Sequence, residues 1–195
     1  MNKKNSIRHK IVTSKYFELS GLLLLIILYS CIVQTKSGNF LTIGNIHNVL
    51  KEIVVYGILS CALAFPLING TFDLSIESIA ALGGTCCGLL VKDGLYGLKT
   101  NLPAAILISV IICCVVGAVN GLLVAFTSID PFIVTLGSQV AVRGLVYIVG
   151  NNTAVTGLPD SFKDLSNKPI LGVSMSIWIM ILVFVLMAIV LGKTS

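Results

Sequence analysis

Long apolar stretches alternate with short polar ones along the whole chain, and six of the apolar stretches reach membrane-crossing length. At about 1.5 Å of rise per residue, a helix of roughly 20 residues crosses a hydrocarbon core of about 30 Å. The predicted spans are residues 19–35, 53–68, 74–91, 103–126, 131–149 and 173–191. Residues 36–48 are polar overall but place Phe40, Leu41, Ile43 and Ile46 at spacings that predict a short interfacial helix. Pro131 suits a first helical position, which sets the start of the fifth span. Residues 150–169 predict a polar loop. The expected fold class is all-α, a polytopic membrane protein with about six transmembrane helices and an interrupted helix near residues 69–77.

Composition strengthens this reading. Of 195 residues, 56% are hydrophobic and 11% charged, and the mean hydropathy is +1.01. Such a chain has too little polar surface for a soluble domain. The formal charge of +5 is not the footprint of a nucleic-acid partner, because the basic residues form no patch with interleaved aromatics. Five of the thirteen, Lys3, Lys4, Arg8, Lys10 and Lys15, precede the first apolar stretch. That bias places the N-terminus in the cytoplasm of a cell (plasma or inner) membrane protein. Six crossings then put residues 127–130 and 192–195 inside and residues 150–169 outside. Lys92, Lys99, Lys163 and Lys168 fall on outer loops by this count, so orientation rests on the N-terminal cluster and on parity. No small-residue cleavage site follows Cys31, and further spans come after it, so the first stretch reads as a retained anchor rather than a signal peptide. Residues 1–18 are expected to form a cytoplasmic basic segment and residues 19–195 the transmembrane region.

The six cysteines, Cys31, Cys61, Cys86, Cys87, Cys113 and Cys114, all lie in apolar stretches, away from His9 and His47. They read as small packing residues, so no metal and no cofactor is expected. Gly84 with Gly88, and Gly117 with Gly121, sit four apart and predict close helix approach.

Polar chemistry concentrates at two breaks. Asn69-Gly-Thr-Phe-Asp-Leu-Ser-Ile-Glu77 carries two carboxylates between apolar stretches. Each costs about 2.5 to 3.5 kcal/mol at mid-membrane on the lenient insertion scale, so both need compensation. Asp73 is expected to cap the third span, with Glu77 in its first turn on the same face. A cap and the wall of a polar path can be one residue. Arg143 lies about twelve residues into the fifth span. Its side chain can snorkel to the interface or pair with Asp73 or Glu77, and snorkelling is the expectation. Trp178 reads as an interface anchor.

Three segments together carry a family resemblance: Gly70-Thr-Phe-Asp-Leu-Ser-Ile-Glu-Ser78, Gly117-Ala-Val-Asn-Gly-Leu-Leu-Val-Ala125, and Pro131-Phe-Ile-Val-Thr-Leu-Gly137 followed by Arg143-Gly144. In order and spacing the chain resembles the ribose-type permeases, the membrane subunits of bacterial ATP-binding-cassette importers for monosaccharides, with the autoinducer-2 permeases as close relatives. The similarity runs from about residue 40 to 191. The family usually has Gly at the position of Glu77, and its permeases continue for about as many spans again. The resemblance implies a transport subunit rather than an enzyme, partnered by an ATP-binding-cassette ATPase subunit, an extracytoplasmic sugar-binding protein, a second permease subunit and the lipid bilayer. No phosphate-cradling Gly-rich motif occurs in the chain itself. Asp73, Ser75, Glu77, Asn120, Thr135 and Arg143 are the expected substrate-path residues. Two other classes stand beside this one: a fragment of an ion-coupled secondary transporter with Asp73 and Glu77 as a relay, and a truncated membrane protein that transports nothing.

Overall fold

The computed structural model describes residues 15–93 and 97–194, so Lys3, Lys4, Arg8 and Lys10 of the expected basic segment lie outside the described residues. The elements are α1 (Lys15–Ser37), α2 (Ile43–Ile68), α3 (Ile76–Val91), α4 (Leu102–Phe126), α5 (Pro131–Val149), α6 (Asp160–Asn167) and α7 (Met175–Thr194). A two-residue antiparallel ladder of β1 (Pro169–Ile170) and β2 (Val173–Ser174) precedes α7. The fold is all-α in substance.

Five helices, α1, α2, α4, α5 and α7, are long and apolar enough to cross a membrane. The expected third span is shorter than predicted. α3 has 16 residues, about 24 Å of helix, which falls short of a full hydrocarbon core. It starts two residues later than expected, at Ile76, because Asp73 holds Ser75 in a turn by side-chain bonds described below. The expected interfacial helix also needs correction, since residues from Ile43 onward belong to the unbroken 26-residue α2. The Thr42 hydroxyl accepts the Asn45 N–H at 3.4 Å at its start, and no proline interrupts it before Pro66. The predicted loop of residues 150–169 in turn contains α6.

The chain divides between Leu50 and Lys51 into two compact units. In the first, α1 ends at Gly38, whose φ of +69° suits a residue without Cβ, and the Gly38 N–H donates to Gln34 O. The Gln34 amide spans that turn, donating to Gly38 O at 3.0 Å and accepting the Leu41 N–H at 2.8 Å. Residues 22–28 expose every side chain.

In the second unit α3 packs against α4 and α5. Cys87 and Val91 of α3 and Ala105 of α4 form its small core, covered by Leu90, Leu102, Leu158 and Phe162. Elsewhere large apolar side chains face outward along α4, α5 and α7. That inversion of the soluble pattern is what a bilayer covers. Gly57 of α2 lets Met180 of α7 approach, because a Cβ there would stand 2.7 Å from Met180 Sδ. Trp178 ties α7 to the ladder by donating its indole N–H to Ile170 O at 3.1 Å.

The small-residue expectation shifts by one position. A Cβ on Gly83 would meet Cys113 Sγ at 2.6 Å, and one on Gly88 would meet Val155 at 3.1 Å. Gly84, Gly117 and Gly121 have open space instead, so close approach of α3 to α4 runs through Gly83.

Candidate polar groove between helices three and five

The break after α2 is built by the backbone. Thr71 N–H donates to Pro66 O at 2.9 Å and Gly70 N–H to Leu67 O at 3.0 Å, the paired bonds of a Schellman cap. Gly70 takes the left-handed conformation this requires, with φ +72°. The Thr71 hydroxyl also donates to Pro66 O, at 3.0 Å. Two orphan carbonyl functions of α2 are thereby satisfied without water.

Asp73 does not cap α3. The N-cap position is Ser75, and one Asp73 oxygen, Oδ1, accepts both the Ser75 N–H at 2.8 Å and the Ser75 hydroxyl at 2.6 Å. This closes a turn two residues ahead of the helix, a local side-chain-to-backbone alternative to helical bonding. The Ser75 hydroxyl in turn accepts the Asn120 amide of α4 at 2.9 Å. Thr135 of α5 holds the same segment from the other side, its single hydroxyl proton shared between Pro131 O at 2.9 Å and Phe72 O at 3.2 Å. Ser75 is 0% exposed, Thr135 5% and Asn120 7%. These three residues form a clamp. Asn120 lies six residues before the end of α4, so the clamp is set about 9 Å inward from that end. Polar backbone at such depth is tolerated only where protein shelters it.

Glu77 and Arg143 face open space instead. Glu77 sits in the first turn of α3, where the helix dipole favours its charge. Arg143 Nη2 lies 3.2 Å from Glu77 Oε1. Arg143 therefore pairs with Glu77, against the expectation that it snorkels away. The Glu77 and Arg143 side chains are 64% and 43% exposed, and a pair so exposed contributes about 0.2 to 1 kcal/mol. Asp73 and Glu77 are not stacked on one helical face, because Asp73 precedes the helix, yet both line one groove.

Three adjoining grooves follow the α3 and α5 surfaces. The first, about 260 Å³, is lined by Tyr56, Phe72, Asp73, Glu77 and Gln139, among others. The second, about 490 Å³, shares Glu77 and Gln139 with it and adds Ser78, Arg143 and Tyr147. The third, about 330 Å³, shares Tyr147 and adds Thr85, Asn152 and Thr153. A fourth groove of about 550 Å³ between α4 and α5 is apolar except for Asn120 and Ser138, and the Asn120 amide is already bonded to Ser75.

Of the six residues expected along a path, Asp73, Glu77 and Arg143 line the polar grooves, and Ser75, Asn120 and Thr135 form the clamp beneath. Gln139, Tyr147 and Tyr56 were not anticipated. Gln139, Arg143 and Tyr147 recur every four residues on α5, a polar stripe on an apolar helix that marks one face. That spacing was the available signal.

Residues 45–195 match the family model described as the permease component of the branched-chain amino acid transport system. The chain is 32% identical over 175 residues to the L-arabinose ABC transporter permease protein of Azospirillum brasilense, covering 90% of this chain and 50% of that one. It is 32% identical over 171 residues to the ribose import permease protein of Escherichia coli strain K12, covering 86% and 51%. To the xylose transport system permease protein of the same strain it is 32% identical over 122 residues, covering 63% and 30%. The chain thus spans about half the length of the first two relatives. No solved structure matches it.

Proposed function

From the premise that this multi-pass membrane chain belongs to the permease-component family matched over residues 45–195, we propose that it contributes the translocation path of an importer for a monosaccharide. The single observation that carries this reading is the similarity to arabinose and ribose permeases over 90% and 86% of the chain. The groove chemistry agrees with it. Carboxylates, an amide, a guanidinium and phenols are the donors and acceptors that a polyhydroxylated solute pairs with, and the Tyr56 and Tyr147 rings offer apolar faces beside them.

On this reading an ATPase subunit on a separate chain supplies the energy, an extracytoplasmic binding protein delivers the sugar, and a second permease subunit completes the path. The N-terminus is cytoplasmic, on the strength of Lys3, Lys4, Arg8, Lys10 and Lys15. The protein performs no bond chemistry. Its task is to offer solute-facing groups whose accessibility alternates between the two sides.

The test is reconstitution in vesicles with its ATPase and binding-protein partners. Uptake of ribose, arabinose or xylose should require ATP and should persist when the proton gradient is collapsed. Uptake that survives ATP depletion and stops with the gradient would overturn this reading in favour of ion coupling.

A further inference from the structure

The polar groups of the groove wall fall into two sets. Ser75, Asn120 and Thr135 have their hydrogen bonds made inside the protein. The Gln139 amide and the Tyr147 hydroxyl, by contrast, have no hydrogen-bond partner among the described residues and open into the 490 Å³ groove. Gln139 also lines the adjoining groove that holds Asp73. It is the α5 side chain placed between both, and its amide offers two donors and an acceptor.

Among the described residues that line these two grooves, three carry charge: Asp73 on the turn before α3, Glu77 on α3 and Arg143 on α5. Arg143 is matched by Glu77 at 3.2 Å, so the formal sum of the three is −1. Neutralising Glu77 would leave Arg143 unpaired one helical turn from Gln139, and the sum would become zero. Charges within a few ångströms act directly on a solute in the groove, whereas those beyond about 8 Å are screened at physiological salt.

We propose that Gln139 contacts the solute and that Glu77 sets the charge class of solute reaching it, admitting uncharged polyhydroxylated molecules and turning away anionic ones. The proposal rests on the transport reading above, since it assigns a selection step to the same groove. Its central element is Glu77, which turns the formal charge of this groove wall from zero to negative and so makes it repulsive for anions.

The experiment uses the full chain with its six cysteines replaced by alanine and Gln139→Cys introduced, reconstituted in vesicles. The introduced thiol is reacted with a cationic and an anionic methanethiosulfonate of matched size, and the rates are normalised to those of a free thiol in solution. The cationic reagent should react about tenfold faster, Glu77→Gln should bring the ratio to one or below, and Glu77→Asp should preserve it. Saturating ribose, arabinose or xylose should slow both reactions. A ratio near one that Glu77→Gln leaves unmoved overturns the role of Glu77. Failure of the introduced thiol to react with either reagent overturns the placement of Gln139 on an open path. If the ratio responds as expected but no sugar protects the thiol, charge selection stands and the sugar reading falls.

Discussion

Asn120 of α4 donates to the Ser75 hydroxyl at 2.9 Å, forty-five residues away in sequence, and so fixes where α3 begins. Ser75 passes the constraint on to Asp73 through its own hydroxyl at 2.6 Å. A buried amide, a buried hydroxyl and a half-buried carboxylate thus form one chain of bonds. In such a network each member polarises the next, so its loss is felt by the others.

Asn120→Ala should lower stability by about 1 to 3 kcal/mol, because the buried Ser75 hydroxyl loses its donor. Ser75→Ala should cost a similar amount, and the double variant should cost less than the sum, by about 1 kcal/mol. Unfolding of the detergent-solubilised protein followed by denaturant titration measures all three, and strict additivity would show that the two side chains act independently.

Gly70→Ala should destabilise by about 1 to 2 kcal/mol, since Cβ meets the following carbonyl in the left-handed region. Nothing stands within 4 Å of a Cβ at Gly70, so the penalty is one of backbone conformation and not of crowding. Gly70→Asn should therefore recover part of the loss. The same titration compares the two variants, and equal costs would contradict the conformational account.

Asp160, at the start of α6, accepts from Lys163 Nζ at 2.9 Å, and this bond together with the lysine charge holds its pKa below the usual carboxylate value. A depressed carboxylate stabilises the fold above its unfolded pKa of about 3.9, and that contribution fades as the pH falls through the lower folded value. Both side chains are well exposed, so the consequence is local. Lys163→Met should move the Asp160 titration upward toward the ordinary value, as read by carbon NMR of its carboxyl group, and an unmoved midpoint would discount the pair.

Much of the fold was legible along the chain. The α5 bounds follow from Pro131 and from the end of the apolar stretch at Val149, because a proline at the first turn forgoes only a hydrogen bond that the helix could not make. The break after Ile68 was visible in Asn69 and Gly70, since a left-handed cap selects such residues. The start of α3 was misplaced for an equally physical reason. A sequence places Asp73 near a helix, but whether its carboxylate reaches the helix N–H groups or closes on Ser75 depends on Asn120 holding that hydroxyl from another helix.

The order of apolar stretches by itself determined that the chain is helical and membrane-embedded, because hydrocarbon thickness and unsatisfied backbone groups leave few other solutions. Which polar side chains look inward and which look onto the groove was decided only by the tertiary structure. Burial of Ser75, Asn120 and Thr135, and the meeting of Glu77 with Arg143 across sixty-six residues, depend on how α3 is seated between α4 and α5. No spacing along one helix encodes that seating, since it arises from side-chain packing between helices that are distant in sequence.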